Sequence, residues 1–252
     1  MRAVAGRGVS AAALRALHVP GDPLVLPNAW DAATARLVAQ AGFGAVATTS
    51  SGVAEALGYE DGEHTPADEM LAAVARIARA VDVPVTADLE AGYGLPPADL
   101  ARRLLATGAA GLNLEDTDHA RHPALRPAAE QAERIASIKA AADVVVNARI
   151  DVHLRGGDTG EALDRARAYR DAGADCVYPI GVTDEATIAA FVETGVPVNV
   201  LLRPGAPPIV RLAELGVARV SLGGRLHAEM LGALRDRLAG LRGEASRRGT
   251  RS

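Results

Sequence analysis

The chain predicts a closed parallel (β/α)8 barrel, the TIM-barrel class of α/β folds, on three observations. Short apolar runs alternate with helical patterns eight times over about 220 residues, the length and repeat of that fold. Polar and charged residues gather where the apolar runs end, and the G-x-G-x-x-G fingerprint of an open dinucleotide-binding sheet does not follow the first run.

A short leading helix reaches about residue 21, and Leu24-Val25-Leu26 forms the first strand, stopped by Pro27 and Asn28. Asp31 is placed to cap the helix whose apolar face is Ala32, Ala35, Leu37, Val38 and Ala41, and Gly42 ends it. The second strand, 44–48, runs into Thr49-Ser50-Ser51-Gly52. A long loop is expected over 53–66, carrying Tyr59, Glu60, Asp61, Glu63 and His64; loops of that length are commonly functional. Helix 66–81, strand 85–88, helix 96–107 and strand 111–114 follow. A second long loop, 117–127, holds His119 and His122 and precedes helix 128–142 and strand 144–148, which ends in Arg149. The remaining units are helix 159–172, strand 175–178, helix 184–194, strand 196–200, helix 208–215, strand 217–222 and a last helix, 224–241. Residues 1–241 are thus read as one domain and 242–252 as a disordered polar tail.

Composition narrows the function. The chain has 252 residues, 49% of them hydrophobic, enough for a large core. A net charge of -4 and 3% aromatics argue against a nucleic-acid partner. Neither a clear signal peptide nor a membrane-length apolar run is read, and the single cysteine, Cys176, fits a reducing compartment, so the cytoplasm is expected. Of 27 basic residues only Lys139 is a lysine, and it lies in a helical pattern, which argues against Schiff-base chemistry.

The strand ends carry the chemistry. Alternation puts Thr86, Asp88 and Glu90 on one face and Val85, Ala87 and Leu89 on the other. Two converging carboxylates call for a cation, and hard oxygen ligands suit Mg2+ or Mn2+; the alternative is a pair of acids in a solvated loop. The same two-residue spacing recurs in Asn113 and Glu115 and in Asn147 and Arg149, while Asn28, Thr49 to Ser51 and Asn199 end other strands. A solvated loop has no reason to keep that parity on three strands, so a metal site is the favoured reading. Arg149 adds a planar donor suited to a substrate carboxylate or developing oxyanion, and the whole suits a small anionic, oxygen-rich substrate.

These residues resemble the isocitrate lyase and phosphoenolpyruvate mutase superfamily through Asn28-Ala29-Trp30-Asp31-Ala32, Ser51-Gly52-Val53-Ala54, Asp88-Leu89-Glu90-Ala91-Gly92-Tyr93-Gly94, Glu115-Asp116 and Asn147-Ala148-Arg149. The resemblance implies Mg2+ held by Asp88, Glu90 and Glu115, partly through water, and a substrate surrounded by Trp30, Thr49, Ser50, Ser51, Gly52, Asn113 and Asn199. It places Asp61 near the mouth and Arg149 on the substrate, and implies a homotetramer or homodimer that exchanges its last helix. The shared chemistry is a metal-stabilised enolate of a small 2-oxo or 2-hydroxy acid.

The loop after Glu115 departs from the family. Family lyases resemble Lys-(Lys/Arg)-Cys-Gly-His there and use the cysteine as proton donor; this chain has Thr117-Asp118-His119-Ala120-Arg121-His122-Pro123. The lysine and asparagine of the phosphonate-processing members are absent too, histidine is replaced at Asn113, and Ile180 follows Pro179 where an acid is common. His119 or His122 is the candidate proton donor, against the plainer reading of solvated loop residues, and Tyr178 is a candidate hydrogen-bond donor to substrate. Cys176 reads as a packed core residue and Trp30 as a pocket wall, and Ser221-Leu222-Gly223-Gly224 is a weaker candidate for binding phosphate. A carbon-carbon lyase is the leading expectation; carbon-phosphorus chemistry and a carboxylate-binding barrel without turnover are the alternatives.

Overall fold

The computed structural model describes residues 9–119 and 124–248. The first barrel strand is two short pieces, β1 (Leu24–Leu26) and β2 (Asn28–Ala29), because Pro27 between them has no N–H to give the ladder. From β2 the parallel order runs through β3 (Val46–Thr48), β4 (Val85–Asp88), β5 (Gly111–Glu115), β6 (Val145–Ile150) and β7 (Cys176–Pro179). From β1 it runs the other way through β9 (Arg219–Ser221) to β8 (Asn199–Leu201). A parallel bridge between Val177 and Val198 joins the two arcs and closes the ring. Asn28 stitches the break at Pro27, donating to the Thr48 carbonyl at 2.8 Å and accepting from the Leu222 amide at 3.0 Å.

Helices cover the outside: α1 (Ala11–Ala16), α2 (Ala32–Gln40), α3 (Ser50–Leu57), α4 (Ala67–Ala78), α5 (Pro97–Thr107), α6 (Ala128–Ala141), α7 (Thr159–Asp171), α8 (Glu185–Val192), α9 (Ile209–Glu214) and α10 (Arg225–Arg248). Asp31 caps α2 as expected, accepting from the Thr34 amide at 2.7 Å while the Thr34 hydroxyl oxygen accepts from the Asp31 amide. Several elements differ from the sequence reading: the leading helix ends at Ala16, the first strand resumes at Asn28 after Pro27, and the strand expected over 196–200 is Asn199–Leu201. The supposed loop from residue 53 begins as α3, whose starting residues Ser50, Ser51 and Gly52 hide it from propensity, and α10 continues past Leu241 to Arg248.

Two apolar compartments follow from strand alternation. Outward residues such as Val46, Val85, Ala87, Leu112, Leu114, Val146 and Ala148 pack under the helices in the main core. Inward residues Leu24, Leu26, Ala45, Ala47 and Val145 fill the lower barrel, where Leu14 of α1 plugs it. Arg15 holds the plug by ion pairs to Asp175 at 2.6 Å and Asp143 at 2.8 Å. Lys139 bonds Asp175 at 2.7 Å at this same end, so the chain's one lysine is occupied away from the strand carboxyl ends. At the other surface, α10 exposes an apolar stripe of Met230, Leu234, Leu238 and Leu241 at helical spacing.

Candidate active site

Parallel register turns the sequence parity into a ring of side chains at the carboxyl end. Asp88 lies beside Asn113, Asn113 beside Asn147, Glu115 beside Arg149, and Arg149 beside Tyr178. Paired residues on neighbouring parallel strands face the same way, so these groups project into the barrel mouth together. Alternation does not carry as far as Glu90. The strand ends at Asp88, and Glu90 takes a left-handed backbone (φ +47°) that returns its side chain toward the other acids.

Negative charge is in excess here. Glu90 is 3% exposed, and burial, together with Asp61, Asp88 and Glu115, pushes its carboxyl up to about 7 although Tyr93 donates to it at 2.7 Å. Partial desolvation and Asp88 likewise raise Asp61 at the mouth. Asp88 accepts from the Ser50 amide at 3.2 Å and faces the Asn113 amide at 3.5 Å, while its own backbone amide donates to Thr48 Oγ1 at 2.8 Å.

Glu115 and Arg149 form an ion pair at 2.6 Å. Burial pushes Glu115 upward, opposed by Arg149 and by a hydrogen bond from His119. Burial also opposes the charge of Arg149, and Glu115, Asp151 and Asp88 outweigh it, so its pKa is raised. Nε and Nη2 of Arg149 fork onto Asp151 at 2.6 and 3.0 Å. Asp151 also accepts from the Thr117 hydroxyl at 2.6 Å, and its amide donates to Asp116 at 2.9 Å. Asp116 is held in turn by Tyr169 at 2.8 Å and Arg165 at 3.2 Å. This buried chain fixes the guanidinium plane and leaves two of the five N–H donors of an arginine without an acceptor among the described residues.

The residues expected to surround a substrate lie partly on α3 and its neighbours. Thr49 and Ser51 hydroxyls are 3.1 Å apart, and Ser50 bridges Asp88 through its amide and Asp61 through its hydroxyl. Trp30 stacks edge-on against His227, with ring centroids 4.8 Å apart. Gly52 fits where no side chain would: a Cβ there would lie 2.7 Å from Thr49 Cγ2 and 3.2 Å from Trp30 Cβ. Tyr178 is buried, hydrogen-bonded to Ser221, and its hydroxyl is pushed up to about 12 chiefly by burial. Asn199 donates to Ser221 at 3.3 Å. The Leu222 amide, part of the candidate phosphate turn, is engaged by Asn28. Cys176 is fully buried with its thiol pushed up to about 12, in keeping with a packed residue.

Above the acids, His119 places Nε2 2.7 Å from Glu115 and 4.0 Å from Glu90. Its pKa is raised by the Glu115 hydrogen bond, against burial. With Asp61, Gly62, His64 and Arg155 it lines an open cavity of about 460 Å3. Glu63 (φ +64°) ties two loops together: its amide donates to Glu90 at 2.8 Å and its carboxylate accepts from the Tyr93 amide, Tyr93 also having φ +55°. His122 lies outside the described residues.

Sequence reasoning missed Asp151, Glu63, Tyr93 and Thr48, and passed over His227. Asp151 had a local signal, as the continuation of the Asn147, Arg149 parity, and Tyr93 reaches Glu90 three residues away; the others, and the tie of Tyr93 to Glu63, act through contacts across about twenty or more residues.

Among the described residues no three His, Cys, Asp or Glu side chains stand ready to enclose a metal ion. The excess of carboxylate around Asp88 nevertheless fits a hard divalent cation, with oxygen donors of the kind Mg2+ takes. The sequence is 41% identical to a structure from Burkholderia cenocepacia J2315 provisionally described as a phosphonomutase, covering 91% of this chain and 99% of that one with a TM-score of 0.84. It is 32% identical to the 2-methylisocitrate lyase of Salmonella typhimurium, covering 83% of this chain and 76% of that protein. A phosphonopyruvate hydrolase solved with oxalate and Mg2+ superposes with a TM-score of 0.84 at 26% identity, over 94% of this chain and 88% of that one. Residues 14–242 match the phosphoenolpyruvate phosphomutase family, and with these relatives the match establishes that the chain belongs to that family, within the isocitrate lyase and phosphoenolpyruvate mutase superfamily of lyases and mutases.

Proposed function

We propose that the protein is a Mg2+-dependent lyase that cleaves or forms a carbon-carbon bond in a small 2-oxo or 2-hydroxy acid through an enolate. The observation that carries this reading is the Glu115–Arg149 ion pair beside the acid cluster, with His119 on the other Glu115 oxygen. Arg149, aimed by Asp151, presents its remaining donors to a carboxylate and to the oxygen on which negative charge develops. The Thr49, Ser50 and Ser51 group receives the other carboxylate oxygens, and Gly52 and Trp30 shape the wall. His119 holds a proton at Nε2 or passes it to Glu115, in a loop that lacks the cysteine proton donor of the family lyases. Asp88, with Glu90, Glu115 and Asp61 through water, would hold Mg2+, or Mn2+ in its place. The cation would supply Lewis-acid charge to the developing oxyanion.

The likeness to phosphonate-processing structures supports a second reading, in which the bond broken is carbon-phosphorus. A panel of 2-oxo acids, 2-hydroxy acids and phosphonopyruvate, assayed with Mg2+, separates them by product. Turnover of a carbon-carbon substrate, lost in Glu115→Gln and Arg149→Ala, is the expected result. Release of phosphate or phosphoenolpyruvate from phosphonopyruvate alone would reject the lyase. Mg2+-dependent oxalate binding with no turnover of any substrate would leave a carboxylate-binding barrel.

A further inference from the structure

Below the acids the barrel contains a cation that the proposed chemistry does not use. Arg219, on β9, is fully buried and projects inward beside Asn199. Its Nη2 donates to Asn113 Oδ1 at 3.0 Å, while Nε and Nη1 have no hydrogen-bond partner among the described residues. Among the described residues no carboxylate pairs with it; Asp88 is the one acid whose charge bears on it. An unpaired buried charge is costly, and an apolar side chain of similar length would fill the space without that cost. Such a group persists where it serves a site.

What Arg219 serves follows from the chemistry of the asparagine it touches. A guanidinium only donates, so the Asn113 atom facing it must be the oxygen. Asn147 Nδ2 donates to that same oxygen at 2.8 Å. With two donors on Oδ1, the Asn113 amide cannot turn over, and its Nδ2 is left facing Asp88 Oδ1 at 3.5 Å.

We propose that Arg219 is a positioning residue: with Asn147 it locks the Asn113 amide toward Asp88 and supplies fixed positive charge beneath the anion- and cation-binding end of the barrel. The inference rests on the reading of Asp88 as a binding group. Arg219 itself touches neither ligand. Its removal frees the Asn113 amide to rotate and present its oxygen to Asp88, which repels the carboxylate and spoils the seat of the ligand.

The test is calorimetric titration of oxalate into the whole protein at saturating Mg2+, with thermal unfolding measured on the same samples. Arg219→Met is expected to unfold at the same temperature as the unchanged protein or higher, and to bind oxalate about tenfold more weakly, the scale of one lost charge-assisted hydrogen bond. Arg219→Lys, which keeps a cationic donor, recovers most of that affinity. A lowered unfolding temperature with unchanged oxalate affinity would make Arg219 merely structural and overturn the proposal. If Arg219→Met does not fold, Asn147→Ala removes the second donor and is read in the same way: weaker binding supports the lock, unchanged binding overturns it. Absence of Mg2+-dependent oxalate binding by the unchanged protein would overturn the reading of the site and this inference together, whereas equal binding by protein and variants overturns the inference alone.

Discussion

Replacing Glu90 with glutamine should change how stability depends on pH. The Glu90 carboxyl titrates at about 7 in the fold against 4.5 ordinarily, so the native state binds its proton more tightly than the open chain does. The sign is therefore that of a raised carboxyl: its contribution is complete below pH 4.5 and is lost as pH rises through 7. The size is about 3 kcal/mol, from the ~1.4 kcal/mol that corresponds to each tenfold change in proton affinity. His18 works the other way. Burial, with Arg219 nearby, lowers it to about 4 from 6.5, so its neutral form gives stability that grows as pH rises over that span. The two nearly cancel in the raw profile, and the difference between the unchanged protein and Glu90→Gln isolates the carboxyl. Urea unfolding in EDTA should show that difference falling by about 3 kcal/mol between pH 4.5 and 7. Saturating Mg2+ should flatten it, because the cation takes over the work of the proton. A difference constant to within about 1 kcal/mol in EDTA would refute the charge-crowding account.

Two further outcomes are expected. Gly52→Ala gains about 1 kcal/mol of helix propensity but forces Thr49 and Trp30 apart at a cost of about 1–3 kcal/mol; the variant should fold with a lowered affinity for oxalate, and normal affinity by calorimetry would show the wall to be compliant. An exchange of the last helix between copies, which the family resemblance implies, would bury the exposed Leu234 and Leu238 at about 1.5–3 kcal/mol each, so on that reading the paired Leu234→Glu and Leu238→Glu substitutions on α10 lower the mass measured by light scattering; an unchanged mass would show that α10 holds no copies together.

The ring of Asp88, Asn113, Glu115, Asn147 and Arg149 was legible in the sequence because strand alternation is a local rule and parallel register preserves it from one strand to the next. The helix at Ser50 was not, because serine and glycine are poor helix formers and the element is stabilised by burying Val53 and Ala54. Glu90 was assigned to a strand face by a rule that stops where the strand stops; its left-handed backbone depends on bonds to Glu63 and Tyr93 that no local pattern announces. Arg219 was hidden for a related reason. In sequence it is a charged residue among apolar strand residues, and only barrel closure, which sets β9 against β8 and β1, puts it beneath the acids.

The tie between Glu63, Glu90 and Tyr93 bears on how a substrate enters. Each of the three holds a left-handed backbone that costs about 1–3 kcal/mol, and each is kept there by the others. Glu63 bonds both of the others, while Tyr93 also bonds Glu90 directly, so among these residues the loop after α3 is tied to the loop after β4 through Glu63 alone. Displacing Glu63 would cut both ties at once and leave the two loops at the barrel mouth joined by no other bond among these three residues.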